Sequence, residues 1–353
     1  MWLVVKLPLR LQLAVGRGPG RFFKRVSRYR RTIVRTNIAL CFPELDTQQQ
    51  QQLINRCYDS IGMSLVETAF AYWANSRDID AFGTLDGLEH IEAARKQGKG
   101  VLLLSGHFCS LDFAARILLK HHPVCFTYQE FRNKLIDAAA RKGRTAMAET
   151  IIHRHDTRGF IKALKAGHVV WYAPDQDQAR KNSVFAPFFG IPANTLTATT
   201  KLVKLTGAAV LPFHIQRLAD SRGYALTIGP SLENFPGTSE VEDATRFNAI
   251  IEAQVREHPE QYLWLHRRFK TRPVKGDKLY PQKPRRIRRK QRKLRKKNKG
   301  LTGSLPPRAI KFLEAGCAAA LPPEKPAPPG RRLLQDLHRL HLCLDSLHIR
   351  LYS

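Results

Sequence analysis

The stretch Val101-Leu-Leu-Leu-Ser-Gly-His-Phe-Cys-Ser-Leu-Asp112 predicts a strand, a sharp turn and the start of a helix. Four consecutive apolar residues are typical of a strand that is buried on both faces, and Gly106 permits an abrupt change of direction. His107 is therefore expected at the carboxyl end of a strand, where open α/β sheets bind their ligands. Asp112 falls in the first turn of the predicted helix, from which its carboxylate can fold back onto the imidazole and orient it.

Short apolar runs alternate with helical patterns after this stretch. This alternation predicts an α/β fold in which a mostly parallel or mixed central sheet is flanked by helices. The predicted strands are 101–105, 124–128, 169–173, 208–215 and 224–228. The predicted helices near them are 111–120, 133–149, 157–166, 195–206 and 239–257. Upstream, residues 47–75 carry the apolar spacing of a helix, with Asp46 or Thr47 as its N-cap.

The charge of the chain indicates an anionic partner. The 353 residues carry a formal net charge of +30, which favours nucleic acid, an acidic lipid or an acidic carrier protein. Residues 283–299 hold twelve Lys/Arg and no acid, yet this run has no interleaved aromatic residues. It would therefore bind phosphate only through salt-sensitive contacts, and no specific nucleic-acid partner is predicted.

Changes in composition divide the chain into three parts. Residues 1–35 are predicted to be a basic, amphipathic, membrane-associating segment, because the apolar run 2–15 is interrupted by Lys6, Pro8 and Arg10 and is too short to span a bilayer. An ordinary first helix of a globular domain is the alternative. Residues 36–275 are predicted to be the main domain, and 276–353 a basic, proline-rich and disordered extension.

The cysteines give no sign of a metal site or of a disulfide framework. None of the six lies in a C-x-x-C pair, so they are expected to be reduced and mostly buried. Cys109 lies inside the central motif, where a functional thiol is conceivable, but a small buried apolar residue is the favoured interpretation.

The spacing of His107 and Asp112 is weak by itself, since H-x4-D recurs by chance and a lone histidine is commonly a core or surface residue. Its context resembles the late acyltransferases of lipid A biosynthesis (lauroyl/myristoyl transferases), which are related to glycerolipid H-x4-D acyltransferases. Four further segments carry the likeness, and they follow one another along the chain in the order found in that family. They are Arg35-Thr-Asn-Ile-Ala-Leu-Cys-Phe-Pro-Glu-Leu45, Val170-Trp-Tyr-Ala-Pro-Asp-Gln-Asp177, Ser183-Val-Phe-Ala-Pro-Phe-Phe-Gly-Ile-Pro-Ala193 and His258-Pro-Glu-Gln-Tyr-Leu-Trp-Leu-His-Arg-Arg-Phe-Lys-Thr-Arg-Pro273.

This resemblance implies a glycerolipid-acyltransferase-like fold and an activity. A fatty acyl chain would pass from acyl–acyl carrier protein to a hydroxyl of a phosphorylated glycolipid, a lipid A precursor, with His107 as general base oriented by Asp112. The reaction would take place at the cytoplasmic face of a bacterial inner membrane, without a metal or an organic cofactor. A related enzyme acting on an ornithine lipid or a lysophospholipid is the alternative within the same class.

Seven further residues are predicted to bind substrate: Arg132, Arg144, Arg154, Asp175, Asp177, Arg267 and Arg268. Asp175 and Asp177 follow a strand and would share the edge of His107 if the strands are parallel. They could equally cap the next helix, hold Arg180 or, less favourably, bind a divalent ion. Arginine suits bidentate contact with phosphate, although a single arginine is commonly a solvated surface group.

Aromatic and basic residues near the last two motifs have open roles. Phe185, Phe188, Phe189 and Ile191 could line an acyl-chain pocket or simply pack in the core. His266 and the basic residues after it favour contact with an anion or headgroup over catalysis. Gln129 stands where relatives commonly carry arginine, and Ala179 replaces a usual glycine.

Overall fold

The computed structural model describes residue 4 and residues 6–73, 82–128, 150–178, 182–274 and 276–282. Its helices are α1 (Leu9–Val26), α2 (Arg28–Cys41), α3 (Thr47–Trp73), α4 (Leu88–Lys96), α5 (Leu111–His121), α6 (Thr157–Lys165), α7 (Ala198–Thr206) and α8 (Glu240–Glu257). Its strands are β1 (Gly83–Asp86), β2 (Val101–Leu104), β3 (Val124–Tyr128), β4 (Thr150–His153), β5 (Val169–Tyr172), β6 (Ser183–Phe188), β7 (Ile191–Leu196), β8 (Ala209–Arg217) and β9 (Tyr224–Ile228).

Seven strands form one sheet in the order β1-β9-β8-β2-β5-β3-β4. Neighbours are parallel except for the antiparallel pair β8–β9. The predicted α/β class with a mostly parallel sheet is therefore confirmed. β2 lies at the centre between β5 and β8, and all four of its residues are buried, as its uninterrupted apolar sequence predicts.

The five predicted strands are present within one or two residues at each end. The sequence did not predict β1 or β4, which are short, nor the separate β6–β7 hairpin, whose strands contain Pro187 and Pro192. The helix predicted over 195–206 begins later, at Ala198, because the residues before it belong to β7. The helix predicted over 133–149 lies outside the described residues.

The long helix α3 begins at a reciprocal cap. An oxygen of the Asp46 side chain accepts the backbone N–H of Gln49 at 2.8 Å, and the Gln49 side chain accepts the N–H of Asp46 at 2.9 Å. This is a capping box, which satisfies two backbone donors at once. Of the two N-caps that the sequence left open, the structure selects Asp46.

The first helix packs closely on α3 through glycines. A Cβ placed on Gly20 would lie 1.9 Å from the Tyr58 carbonyl oxygen, and one on Gly62 would lie 2.2 Å from the Gly16 carbonyl oxygen. One face of α1 is therefore packed like an ordinary globular helix, which was the alternative to a purely membrane-associated segment. The opposite side exposes the apolar residues Leu11, Val15 and Val26, and Leu7, two residues before the helix, is also exposed.

In the ranges that the structure describes, no helix combines the length and the apolar composition needed to cross a membrane. From residue 283 onward the predicted extension lies outside those ranges, so its disorder and the boundary at 275–276 stay predictions.

Candidate active site

His107 and Asp175 meet at the carboxyl edge of the central sheet. Each lies three residues beyond its strand, and those strands, β2 and β5, are parallel neighbours with Leu104 in register with Tyr172. One Asp175 carboxylate oxygen, Oδ2, accepts the backbone N–H of His107 at 2.8 Å, and Oδ1 pairs with Nδ1 of the imidazole. The sequence placed the two residues at one edge if the strands were parallel, and they are.

The environment of Asp175 keeps its carboxylate ionised. Burial alone would raise the pKa of this almost fully enclosed group, but the charge and hydrogen bonds of His107 outweigh burial and lower it below the usual range. The Tyr262 hydroxyl adds a hydrogen bond to Oδ2 at 2.7 Å. An ionised carboxylate at Nδ1 fixes the ring tautomer and leaves Nε2 as the atom that takes up a proton.

Asp112 lies in the first turn of α5, as predicted, and is buried. Its carboxylate accepts hydrogen bonds from two side chains of α3, Thr68 Oγ1 at 3.2 Å and the Tyr72 hydroxyl at 3.1 Å. The orienting role predicted for Asp112 stays a prediction. The carboxylate found at Nδ1 of His107 belongs to Asp175, which the sequence suggested as a substrate ligand.

A buried ion pair supports the loop of residues 105–110 that carries His107. Nη2 of Arg217 donates to Glu67 at 3.0 Å and to Ser110 Oγ at 3.2 Å, and Nη1 donates to Ser60 at 3.1 Å. The Tyr224 hydroxyl donates to Glu67 at 2.7 Å. Burial opposes the charge of Arg217, but attraction to Glu67 raises its pKa above the usual value, so the guanidinium stays charged.

The 258–273 segment crosses the 105–110 loop and fixes it from the other side. The backbone N–H of Leu263 donates to the His107 carbonyl at 2.9 Å, and that of Cys109 donates to the Gln261 carbonyl at 2.8 Å. Gln261 also exchanges two side-chain hydrogen bonds with the backbone of Arg217, at 2.7 and 2.8 Å. The backbone of His107 is thus held by a segment about 150 residues away in sequence.

The segment near the start of the chain meets the same region. The Asn37 amide donates to the carbonyls of Trp264 and His266 at 2.7 and 2.8 Å. Around them, the rings of Phe42, Phe189 and Trp264 contact one another edge to face, with centroids 5.1 to 6.2 Å apart. The segments 35–45, 183–193 and 258–273 therefore pack in one hydrophobic cluster, which also contains Phe108 and Cys109 of the 105–110 loop.

Two of the predicted substrate ligands have structural partners. The carboxylate of Asp177 accepts the backbone N–H and the hydroxyl of Thr271 and an amide hydrogen of Asn194. Arg268 is 2% exposed and donates to Asn194, Thr195 and Asn248 while its guanidinium lies over the Phe188 ring. These contacts tie the 258–273 segment to the β6–β7 hairpin, and they favour a structural role for Asp177 and Arg268 over substrate contact.

Of the other predicted arginines, the structure describes Arg154 and Arg267. Arg154 follows β4, is half-buried, and donates to Gln178 at 3.0 Å, beside the loop that holds Asp175. Arg267 is also half-buried, and within the described residues its guanidinium makes no hydrogen bond or ion pair. Arg132, Arg144, Arg180, Gln129 and Ala179 lie outside the described residues.

The remaining candidates are mostly core residues. Phe188 and Phe189 are buried in the aromatic core, which favours packing over an acyl pocket, whereas Phe185 is 37% exposed. Burial raises the pKa of the Cys109 thiol to about 12, in keeping with an unreactive buried residue. Burial and then the nearby charge of His107 lower the pKa of His266 to about 3, so this ring is neutral and offers an anion no charge.

Within the described ranges, no group of three or more His, Cys, Asp or Glu side chains is placed to hold a metal ion. The chemistry that the described site offers is proton transfer by an imidazole whose Nδ1 pairs with a buried carboxylate and whose loop is fixed by two backbone hydrogen bonds.

Comparison with known proteins gives a consistent result. A family model described as bacterial lipid A biosynthesis acyltransferase matches residues 1–271. The lipid A biosynthesis palmitoleoyltransferase of Escherichia coli (strain K12) is 39% identical over 282 residues, covering 79% of this chain and 92% of that protein. The lauroyltransferase of the same organism is 38% identical over 274 residues, covering 77% and 90%. A lipid A biosynthesis acyltransferase of Haemophilus influenzae is 35% identical, covering 76% and 88%.

Among solved structures, the chain is similar to the 1-acyl-sn-glycerophosphate acyltransferase of Thermotoga maritima. The likeness covers 70% of this chain and 98% of that one, with 15% identity and a TM-score of 0.37. A likeness at that level adds no argument about function.

Proposed function

This chain belongs to the bacterial lipid A biosynthesis acyltransferase family, and we propose that it transfers a fatty acyl chain from acyl–acyl carrier protein to a hydroxyl of a lipid A precursor. The observation that carries the proposal is the His107–Asp175 pair at the carboxyl edge of the sheet. An imidazole with a carboxylate at Nδ1 is the arrangement that acyl transfer uses to activate a hydroxyl.

In the proposed reaction His107 is the general base. Its Nε2 takes the proton of the acceptor hydroxyl as that oxygen attacks the thioester carbonyl, and a tetrahedral intermediate forms. When the intermediate collapses, the carbon–sulfur bond breaks, and His107 returns its proton to the thiol of the carrier. Asp175 stabilises the protonated ring, and Asp112, at the start of α5, is the second carboxylate that we assign to this site.

Charge supports the choice of substrates. Both the carrier protein and a phosphorylated acceptor are acidic, and a chain with a formal net charge of +30 attracts either. Arg267 and Arg154, at the edge of the site, are proposed to bind the anionic groups of the substrates, and Arg132 and Arg144 are proposed for the same role from the sequence. Asp177 and Arg268 are left out of this set because their groups hold the fold together.

The exposed side of α1 supports attachment to the cytoplasmic face of the inner membrane. Leu11 and Val15 of α1 are exposed, as is Leu7 just before the helix, and Arg10 and Arg17 are exposed on the same helix. No Asp or Glu occurs between residues 6 and 35. An apolar strip bordered by cations is the composition that inserts shallowly among anionic headgroups.

Mass spectrometry of lipid A tests the proposal in cells. Bacteria that lack the intact gene should accumulate lipid A that is short of one acyl chain, and the wild-type gene should restore it. The mass difference gives the chain length and fragmentation gives the acylated position. A lipid A profile that is identical with and without the gene would contradict the proposed acceptor, and an altered ornithine lipid or phospholipid would replace it.

A further inference from the structure

The hydroxyl of Tyr262 has a defined partner in the active site. It donates to Oδ2 of Asp175 at 2.7 Å, and the same oxygen accepts the backbone N–H of His107 at 2.8 Å. The other carboxylate oxygen pairs with Nδ1 of His107. Each oxygen of Asp175 therefore has a hydrogen-bonding partner, and a carboxylate held at both oxygens is kept facing the imidazole.

The ring of Tyr262 is held independently of its hydroxyl. It lies 4% exposed between Phe108, Trp264 and Phe188, with centroids 5.7, 4.9 and 6.2 Å away. An antiparallel bridge joins its backbone to Phe108, the residue after His107. Because packing and backbone pairing fix the ring, the direction of the hydroxyl is fixed as well.

We propose that Tyr262 is a positioning residue of the reaction, which acts by holding the Asp175 carboxylate in line with His107. The proposal rests on the function proposed above and adds a group 87 residues from Asp175 to its machinery. The chain of contacts runs from the aromatic core, through the phenol and the carboxylate, to the imidazole. Within this series of contacts, His107 is the group that transfers a proton, and Tyr262 and Asp175 only hold it in position.

The charges around the phenol suit a permanent donor. Burial first, and then the negative charge of Asp175, raise the pKa of Tyr262 well above its usual value, so the hydroxyl keeps its proton. The hydrogen bond from Tyr262 is in turn one of the contributions that lower the pKa of Asp175. Loss of the hydroxyl should therefore let Asp175 take up a proton at higher pH.

The variant Tyr262→Phe removes one oxygen and leaves the ring in place. We expect kcat to fall about tenfold with KM unchanged, because the base is less well oriented in the transition state. The acidic limb of the kcat/KM profile, which belongs to the His107–Asp175 pair, should move up by about 0.5–1 pH unit. A purely structural role would lower stability without moving this limb.

A matched control is Tyr280→Phe. The Tyr280 hydroxyl is also a buried hydrogen-bonding group, which accepts the backbone N–H of Phe269 at 3.2 Å and donates to Asn37. Its loss should lower the unfolding temperature and leave the pH profile in place. If both variants move the acidic limb equally, or if Tyr262→Phe keeps the wild-type kcat and profile, Tyr262 is not a positioning residue.

Site-specific 3,5-difluorotyrosine at position 262 provides a second test that does not depend on the folding of the phenylalanine variant. The shape of the side chain is nearly unchanged, and the hydroxyl is a stronger donor because it is more acidic. The acidic limb should then move to lower pH, opposite to Tyr262→Phe, and an unmoved limb would overturn the proposal. Absence of acyl transfer by the wild-type protein would instead overturn the proposed function itself.

Discussion

Asp175 contacts His107 through both carboxylate oxygens: one accepts the backbone N–H at 2.8 Å, and the other pairs with Nδ1 of the ring. The two residues are 68 positions apart and meet because β2 and β5 are parallel neighbours. The carboxylate that touches Nδ1 thus comes from a neighbouring strand end.

Asp175→Asn tests which carboxylate orients the imidazole. An amide can present its NH₂ group to Nδ1 and stabilise the wrong tautomer, so we expect kcat to fall by about 10⁴ while the fold is kept. Asp112→Asn is the matched variant, and we expect a smaller loss from it, because the carboxylate found at Nδ1 of His107 is that of Asp175, whereas Asp112 accepts hydrogen bonds from Thr68 and Tyr72 of α3. The measurement is the single-turnover rate of acyl transfer for each variant. Equal rates for wild type and Asp175→Asn would return the orienting role to Asp112.

Arg217→Met should destabilise the protein strongly. It leaves the buried Glu67 carboxyl group beneath the 105–110 loop without its cationic partner, and removing one partner of a buried ion pair costs about 3–5 kcal/mol. The double variant Glu67→Met/Arg217→Met should recover a large part of that loss, because no buried charge remains. Urea unfolding measures both effects.

The control for that pair is Arg21→Met at the exposed ion pair with Asp59, where solvent screening makes the loss small. If Arg217→Met proves as mild as Arg21→Met, the buried pair does not support the loop.

His266 should make stability depend on pH. Its pKa is about 3 in the folded protein and about 6.5 when unfolded. The unfolded state therefore binds a proton first, so this contribution is complete above pH 6.5 and is lost as the pH falls toward 3. A single group of this kind contributes a slope of up to about 1.4 kcal/mol per pH unit.

The measurement is the free energy of unfolding between pH 7 and 4 for wild type and His266→Gln. His107, Asp175, Arg268 and Asp177, whose charges act on the His266 ring, are present in both proteins, so the difference between the two curves isolates the titration of His266. Wild type should lose more stability than the variant over this range. Parallel curves would show that His266 is not held neutral in the fold.

The exposed side of α1 should carry membrane binding. Leu11→Ser/Val15→Ser removes two apolar side chains, 52% and 48% exposed, without touching the core. Cosedimentation with anionic phospholipid vesicles should weaken at least about tenfold while the unfolding temperature stays the same. Leu205→Ser, on α7, makes the same kind of change at a side chain that is 57% exposed, and it should leave vesicle binding intact. Equal binding by all three proteins would locate the membrane contact elsewhere.

The position of His107 could be predicted because the apolar run 101–104 and Gly106 are local signals for a buried strand and a turn. The pairing with Asp175 could not be, since it depends on which strands become neighbours, and the sheet order is not written in any one segment. The same applies to Glu67 and Arg217, which lie 150 residues apart.

The sequence could not assign a single role to side chains whose chemistry suits two roles. Arg268 has the charge of a phosphate ligand, yet its partners are carbonyl, hydroxyl and amide groups of the core. Asp177 differs from Asp175 by two positions, and only the fold decides that one holds Thr271 while the other holds His107. A sequence pattern gives the type of side chain at a site, but it does not show which residue contacts that side chain in the folded protein.

The most direct test of the central claim is acyl transfer by purified protein. Acyl–acyl carrier protein and a hydroxyacylated, phosphorylated disaccharide lipid serve as substrates, and the product is followed by mass. The wild-type protein should transfer one acyl chain, and folded His107→Ala should be slower by at least about 10². Full activity of His107→Ala would contradict the assignment of His107 as the general base.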